Sequence, residues 1–156
     1  MSIPKIAVTM GDPAGVGPEV CLHLLQNREI AQLCTPIVFG DAAVLSQAAV
    51  QCRLAKPDKV VAGLGEAAAP CVFDIGAIEL RDFETGTSNA ATGRAGYTYV
   101  ENAIDAALGG QVAAVTTAPL NKEALRAAGI PFPGHTEIFA AKTHSCLLYT
   151  SPSPRD

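Results

Sequence analysis

The stretch from Lys5 to Met10 reads as a short strand, β-branched in part and apolar on both faces, and it runs without a break into Gly11-Asp-Pro-Ala-Gly-Val-Gly-Pro-Glu19. Beyond it, Glu19 to Leu25 places Val20, Leu22, Leu24 and Leu25 at helical spacing, and Pro18 suits the first turn of that helix. A strand buried on both faces, then a glycine-rich turn, then a helix points to an α/β fold with a parallel sheet. The glycines let the backbone come close to a ligand, and the helix start offers unpaired N–H groups to an anion. The pattern is neither a GxGxxG dinucleotide fingerprint nor a Walker loop, because the spacing differs and no lysine follows. Two readings stay open on the residues alone, a ligand-holding loop and a plain tight turn.

Pro36 to Gly40 reads as a second parallel strand, followed by a helix from about Ala42 to Val50, with Asp41 more readily its N-cap than a ligand contact. Val60-Val61 and Cys71 to Ile75 are weaker strand candidates, and Ala77 to Leu80 is a further one. This middle third carries no chemical signature and is expected to form a peripheral or smaller lobe. Thr85 to Gly93 reads as a small-residue loop ending at Arg94, a connection rather than a mobile substrate loop. From Arg94 to Leu108, Ala95, Tyr99, Val100, Ala103, Ile104 and Ala107 fall near helical spacing, and Gly109 and Gly110 close the helix. Tyr97 and Tyr99 are expected to pack rather than to catalyse.

The chemistry concentrates farther on. A strand over Gln111 to Val115 ends in Thr116-Thr-Ala-Pro119, which is how a buried parallel strand delivers side chains to a ligand crevice. Asn121 to Ala128 is a helix with Asn121 as its cap and Gly129 as its stop. Lys122 therefore stands at a helix start, where a cation opposes the macrodipole by a few tenths of a kcal/mol or more. An anionic ligand offsets that cost; a solvated surface lysine is the other reading. After the prolines at 131 and 133 the chain offers Gly134, His135, Thr136 and Glu137 together. His135, a loop imidazole between small residues, is available to a phosphate or hydroxyl, with a solvent-facing histidine as the alternative. His23, on a helix, is read as structural. No HxxxH, HxH or carboxylate-paired spacing occurs, so no metal site is expected within this chain.

Composition narrows the partners. A formal charge of −4 with a pI near 5.3 and scattered basic residues argues against nucleic acid. No apolar stretch approaches the roughly 20 residues that span a bilayer, and Met1-Ser-Ile-Pro-Lys5 lacks the features of a signal peptide. The expectation is a cytoplasmic protein with a small-molecule partner and no membrane. Five widely spaced cysteines without a CxxC pair read as free thiols.

Three ordered stretches, Met10 to Glu19, Thr117-Ala-Pro-Leu-Asn-Lys122 and Ala128-Gly-Ile-Pro-Phe-Pro-Gly-His-Thr-Glu137, together resemble the 4-hydroxythreonine-4-phosphate dehydrogenases of vitamin B6 biosynthesis, with the match running from about Ile6 to Thr143. The resemblance implies a homodimeric, three-layer α/β/α enzyme, isocitrate/isopropylmalate dehydrogenase-like, that oxidises a phosphorylated hydroxy acid with NAD(P) and a divalent metal. It implies that His135 and Thr136 bind substrate at its phosphate end, that Lys122 is catalytic, and that the Gly11-to-Glu19 loop is an active-site neighbour. Relatives in this family act on 4-phospho-D-threonate, 4-phospho-D-erythronate or aromatic dihydrodiols, and Gly93-Arg-Ala-Gly-Tyr-Thr-Tyr-Val100 leans toward them. In the family, which is longer than this chain, the metal-ligand histidines and further cofactor contacts come from the later half. Residues 1–145 are thus expected to be an incomplete, truncated N-terminal part of the dehydrogenase, inactive by itself. Cys146 to Asp156 matches the translation of a transposase-type sequencing adapter and is read as a non-native tail, a genuine Pro-Ser-rich tail being the alternative. A non-catalytic module that keeps the phosphate-binding loops is the competing functional class.

Overall fold

A computed structural model describes residues 2–145; the suspected tail from Cys146 onward lies outside the described residues. Five parallel strands form one sheet: β1 (Lys5–Thr9), β2 (Thr35–Gly40), β3 (Val60–Val61), β4 (Cys71–Asp74) and β5 (Ala114–Thr117), in the order β3-β4-β2-β1-β5. Between them run α1 (Gly17–Leu25), α2 (Arg28–Leu33), α3 (Ala42–Cys52) and α4 (Ala90–Leu108); α5 (Lys122–Ala127) and α6 (His135–Thr143) follow β5.

Strand register explains the layers. Val8, Val38 and Val72 lie side by side and face Cys21 and Leu22 of α1 and Val44, Leu45 and Ala49 of α3. Their neighbours Ala7, Ile37 and Cys71 point the other way, against Ala103 and Ala106 of α4. Helices therefore cover both faces, as parallel strands require, and the α/β expectation holds. Complete burial of side chains such as Leu22, Phe39, Leu45 and Ile138 stabilises the fold by about 1.5–3 kcal/mol each. After β4, the long helix α4 carries the chain back across the sheet, so β5 joins on the far side of β1. The strand order thus reverses between β1 and β5.

Several expectations need correction. Ala77 to Leu80 is not a strand; it leads into a short 3-10 turn, Leu80–Asp82, closed by reciprocal capping between Glu79 and Asp82. The middle third is peripheral but not a smaller lobe of its own, since β3 and β4 extend the same sheet at its edge and Val72 is fully buried. Nor is Thr85 to Gly93 a loop throughout. Asn89 accepts from Thr92 N at 3.0 Å, while Thr92 Oγ1 accepts from Asn89 N at 2.9 Å. This capping box starts α4 at Ala90 and puts Arg94 inside the helix. β5 starts at Ala114, takes in Thr116 and Thr117, and alternates exposed with half-buried residues. It is an open edge rather than a buried strand, because among the described residues no strand pairs with its outer side.

Asp41 occupies the N-cap position of α3 without capping it. Its buried carboxylate accepts instead from the hydroxyl of Tyr99 and from Ala77 N at 2.8 Å, while Asp74 accepts from Ala42 N at 3.0 Å. Tyr99, fully buried, needs an acceptor, and Asp41 is the one within reach. Burial raises the Asp41 carboxyl above its ordinary range, against the lowering effect of both hydrogen bonds. Cys21, Cys34, Cys52 and Cys71 are free thiols, and burial pushes Cys21 up to about 12, which leaves it inert.

Candidate active site

In open parallel sheets ligands bind outside the carboxyl ends of the strands, where the strand order reverses. Here that place lies between β1 and β5, and backbone fills it. Ala118 N donates to Thr9 O and Asp12 N donates to Pro119 O, both at 3.0 Å. Gly11 makes this approach possible: its φ is +73°, and a Cβ there sits 2.4 Å from the Pro119 oxygen. The rest of the glycine-rich loop is tied internally. Asp12, only 5% exposed, accepts from Ala14 N at 2.8 Å and from the Ser88 hydroxyl, and Gly86 N donates to Ala14 O at 2.8 Å. The loop is thus a turn closed by its own hydrogen bonds.

The polar groups gather at the starts of α5 and α6, two helices that pack on α4. Past Pro119, the Asn121 side chain accepts from Ala124 N at 2.9 Å and starts α5 with Lys122 as its first residue. α5 is pressed onto α4, where a Cβ on Gly93 sits only 2.1 Å from the Ala124 oxygen. Gly129, at φ +72°, ends the helix as expected. Pro131, Phe132 and Pro133 follow, with the Phe132 ring stacked on Tyr97 at 6.2 Å. Gly134 is then the N-cap of α6 and offers no side chain to its first turn. Those N–H groups are open to an acceptor at the helix end.

Lys122, His135 and Thr136 line one cleft, with Leu120, Pro133, Gly134 and Glu137 as its other walls. The three residues singled out in the sequence are therefore brought together. His135 is not in a loop, as expected, but is the first residue of α6, because Gly134 takes the cap. Its ring is half-buried and, among the described residues, Nε2 is buried with no hydrogen-bond partner. Desolvation lowers its pKa below the ordinary 6.5, so the neutral imidazole prevails at neutral pH. An unpaired buried nitrogen costs about 1–3 kcal/mol, and a ligand oxygen in the cleft relieves that cost. Lys122 is exposed and, among the described residues, makes no ion pair.

Arg126, which sequence reasoning passed over, lines the adjoining cleft with Lys122, Ile130 and Phe132. Its signal was the spacing of one helical turn from Lys122. His23 is not a core histidine: it lies 3.9 Å from Glu19 with 62% of its side chain exposed. Among the described residues no group of three or more His, Cys, Asp or Glu could hold a metal ion, so a divalent metal does not fit on these residues alone. No helix among them is long and apolar enough to cross a membrane.

Over 146 residues the chain is 40% identical to a Symbiobacterium thermophilum protein named as a candidate D-threonate 4-phosphate dehydrogenase, covering 91% of this chain and 44% of that one. It is 36% identical over 144 residues to the 4-hydroxythreonine-4-phosphate dehydrogenase of Trichlorobacter lovleyi, covering 88% and 42%. A crystal structure of a 4-hydroxythreonine-4-phosphate dehydrogenase from Burkholderia phymatum superposes with a TM-score of 0.83 at 37% identity, covering 92% of this chain and 44% of that one. The chain thus spans less than half the length of the relatives it matches. The family model described as "Pyridoxal phosphate biosynthetic protein PdxA" matches residues 32–151, and the chain belongs to that family.

Proposed function

We propose that this chain supplies the phosphate-binding wall of a cytoplasmic, homodimeric, NAD(P)-dependent dehydrogenase that oxidises a phosphorylated hydroxy acid, 4-hydroxythreonine 4-phosphate. The observation that carries the reading is the meeting of Lys122, His135 and Thr136 at one cleft, beside the uncapped first turn of α6. A phosphate monoester brings several acceptor oxygens and close to two negative charges. Helix N–H groups, the Thr136 hydroxyl and the orphaned His135 nitrogen are donors matched to it. Lys122, the catalytic residue in this reading, brings a cation to the same cleft and holds negative charge on the bound substrate. The nicotinamide nucleotide supplies the hydride acceptor when bound. No step is assigned to the metal, whose ligands these residues do not provide.

D-threonate 4-phosphate is the alternative substrate, favoured by the higher identity to the Symbiobacterium relative. A non-catalytic phosphate-binding module is the second reading, favoured by coverage of less than half of each relative. Reduction of NAD(P) with each phosphorylated acid and a divalent metal separates these. The 156-residue chain is expected to show no turnover, whereas a protein of the relatives' length carrying this sequence turns over one of the two acids. Failure of that longer protein on both acids contradicts the dehydrogenase reading.

A further inference from the structure

α6 carries both residues assigned to the phosphate, yet little holds it in place. Of its nine residues only Ile138 is buried, packed against Val100 and Ile104 of α4. Gly134 contributes no cap, and the helix ends on His144 at φ +54°, a left-handed conformation that disfavours a residue with a Cβ. Phe139 packs half-buried against the same cluster, and a polar anchor joins them. Lys142 Nζ lies 2.5 Å from Glu101 Oε1, with side-chain exposures of 28% and 34%, so the pair is partly open to water. The same Glu101 oxygen accepts from the Tyr97 hydroxyl at 3.3 Å, and the Tyr97 ring stacks on Phe132 in the segment that leads into Gly134. Glu101 therefore grips α6 through Lys142 and the entry to α6 through Tyr97. His135 and Lys142 share one face of the helix, two turns apart, so a tilt at one end moves the other.

We propose that Glu101 is a positioning residue for the candidate phosphate site, fixing through Lys142 and Tyr97 where His135 and Thr136 stand. The inference rests on the phosphate reading above only for its ligand; the effect on His135 does not depend on it. A partly exposed ion pair adds little stability, so its consequence is geometric: removing Glu101 releases both the Lys142 contact and the Tyr97 contact.

The test uses the 156-residue chain with Glu101→Gln, Glu101→Asp and the exchanged pair Glu101→Lys/Lys142→Glu. Two readouts are followed: the His135 ring resonances by NMR and the affinity for inorganic phosphate. Glu101→Gln is expected to shift the ring resonances and to weaken phosphate roughly tenfold, within the coupling range of residues in one charged network. The exchanged pair is expected to restore both in part, because it remakes the ion pair but leaves position 101 unable to accept from the Tyr97 hydroxyl. If Glu101→Gln does not fold, Glu101→Asp keeps the charge but withdraws it from Lys142 and is expected to move the same resonances. A merely structural ion pair lowers the melting temperature alike in every variant that breaks it and leaves the ring and the phosphate affinity unmoved; that result overturns the proposal. A ring that shifts and recovers in a chain that binds no phosphate upholds the positioning role and sinks the phosphate reading.

Discussion

The backbone N–H of Asp12 donates to the carbonyl oxygen of Pro119 across 3.0 Å, and this bond seals the place between β1 and β5 where an open parallel sheet ordinarily receives its ligand. Gly11→Ala tests the seal directly. A Cβ at φ +73° and 2.4 Å from the Pro119 oxygen is both strained and overlapping. The expected loss is about 1–3 kcal/mol or more in urea unfolding. Gly65→Ala, which meets no atom within 4 Å, is the control and is expected to be near neutral.

Tyr99 and Asp41 make a second prediction. Tyr99→Phe leaves one Asp41 oxygen buried without its donor, an expected cost of about 1–3 kcal/mol by thermal or urea unfolding. The pH dependence has a definite sign. Because the folded Asp41 carboxyl is raised above its ordinary 3.8, its contribution is fully present below 3.8 and is lost as pH rises through the folded value. The stability of Asp41→Asn relative to the parent is therefore expected to improve as pH rises out of the acid range. A flat difference contradicts the assignment.

For His135 the sign is opposite. Its folded pKa lies below 6.5, so stability is held above 6.5 and declines as pH falls toward the folded value. A phosphate in the cleft favours the protonated ring. Binding is then expected to take up protons, and affinity to rise as pH falls from the alkaline side toward 6.5. Calorimetry in buffers of different ionisation heat measures that uptake; none, or proton release, speaks against His135 as the contact.

Much of this was legible in the residues. Apolar runs such as Pro36 to Gly40, and Asn121 with Gly129 around a helical stretch, are local signals, and the strands and helices they announce are present. The grouping of Lys122 with His135 and Thr136 was legible as well, because one short helix and a proline-marked break separate them. What escaped were long-range choices. Asp41 bonds to Tyr99, far along the chain, rather than to its own helix. Asn89 and Thr92 cap each other inside a stretch whose small residues read as loop. That β5 is an open edge depends on which strands pair with it, which periodicity over four residues does not encode.

The claim that these residues form a phosphate wall is tested most directly by calorimetric titration of 4-hydroxythreonine 4-phosphate into the 156-residue chain and its His135→Ala variant. Loss of one charge-assisted hydrogen bond is expected to weaken binding by about 1.5–3 kcal/mol. Identical isotherms for parent and variant contradict the account.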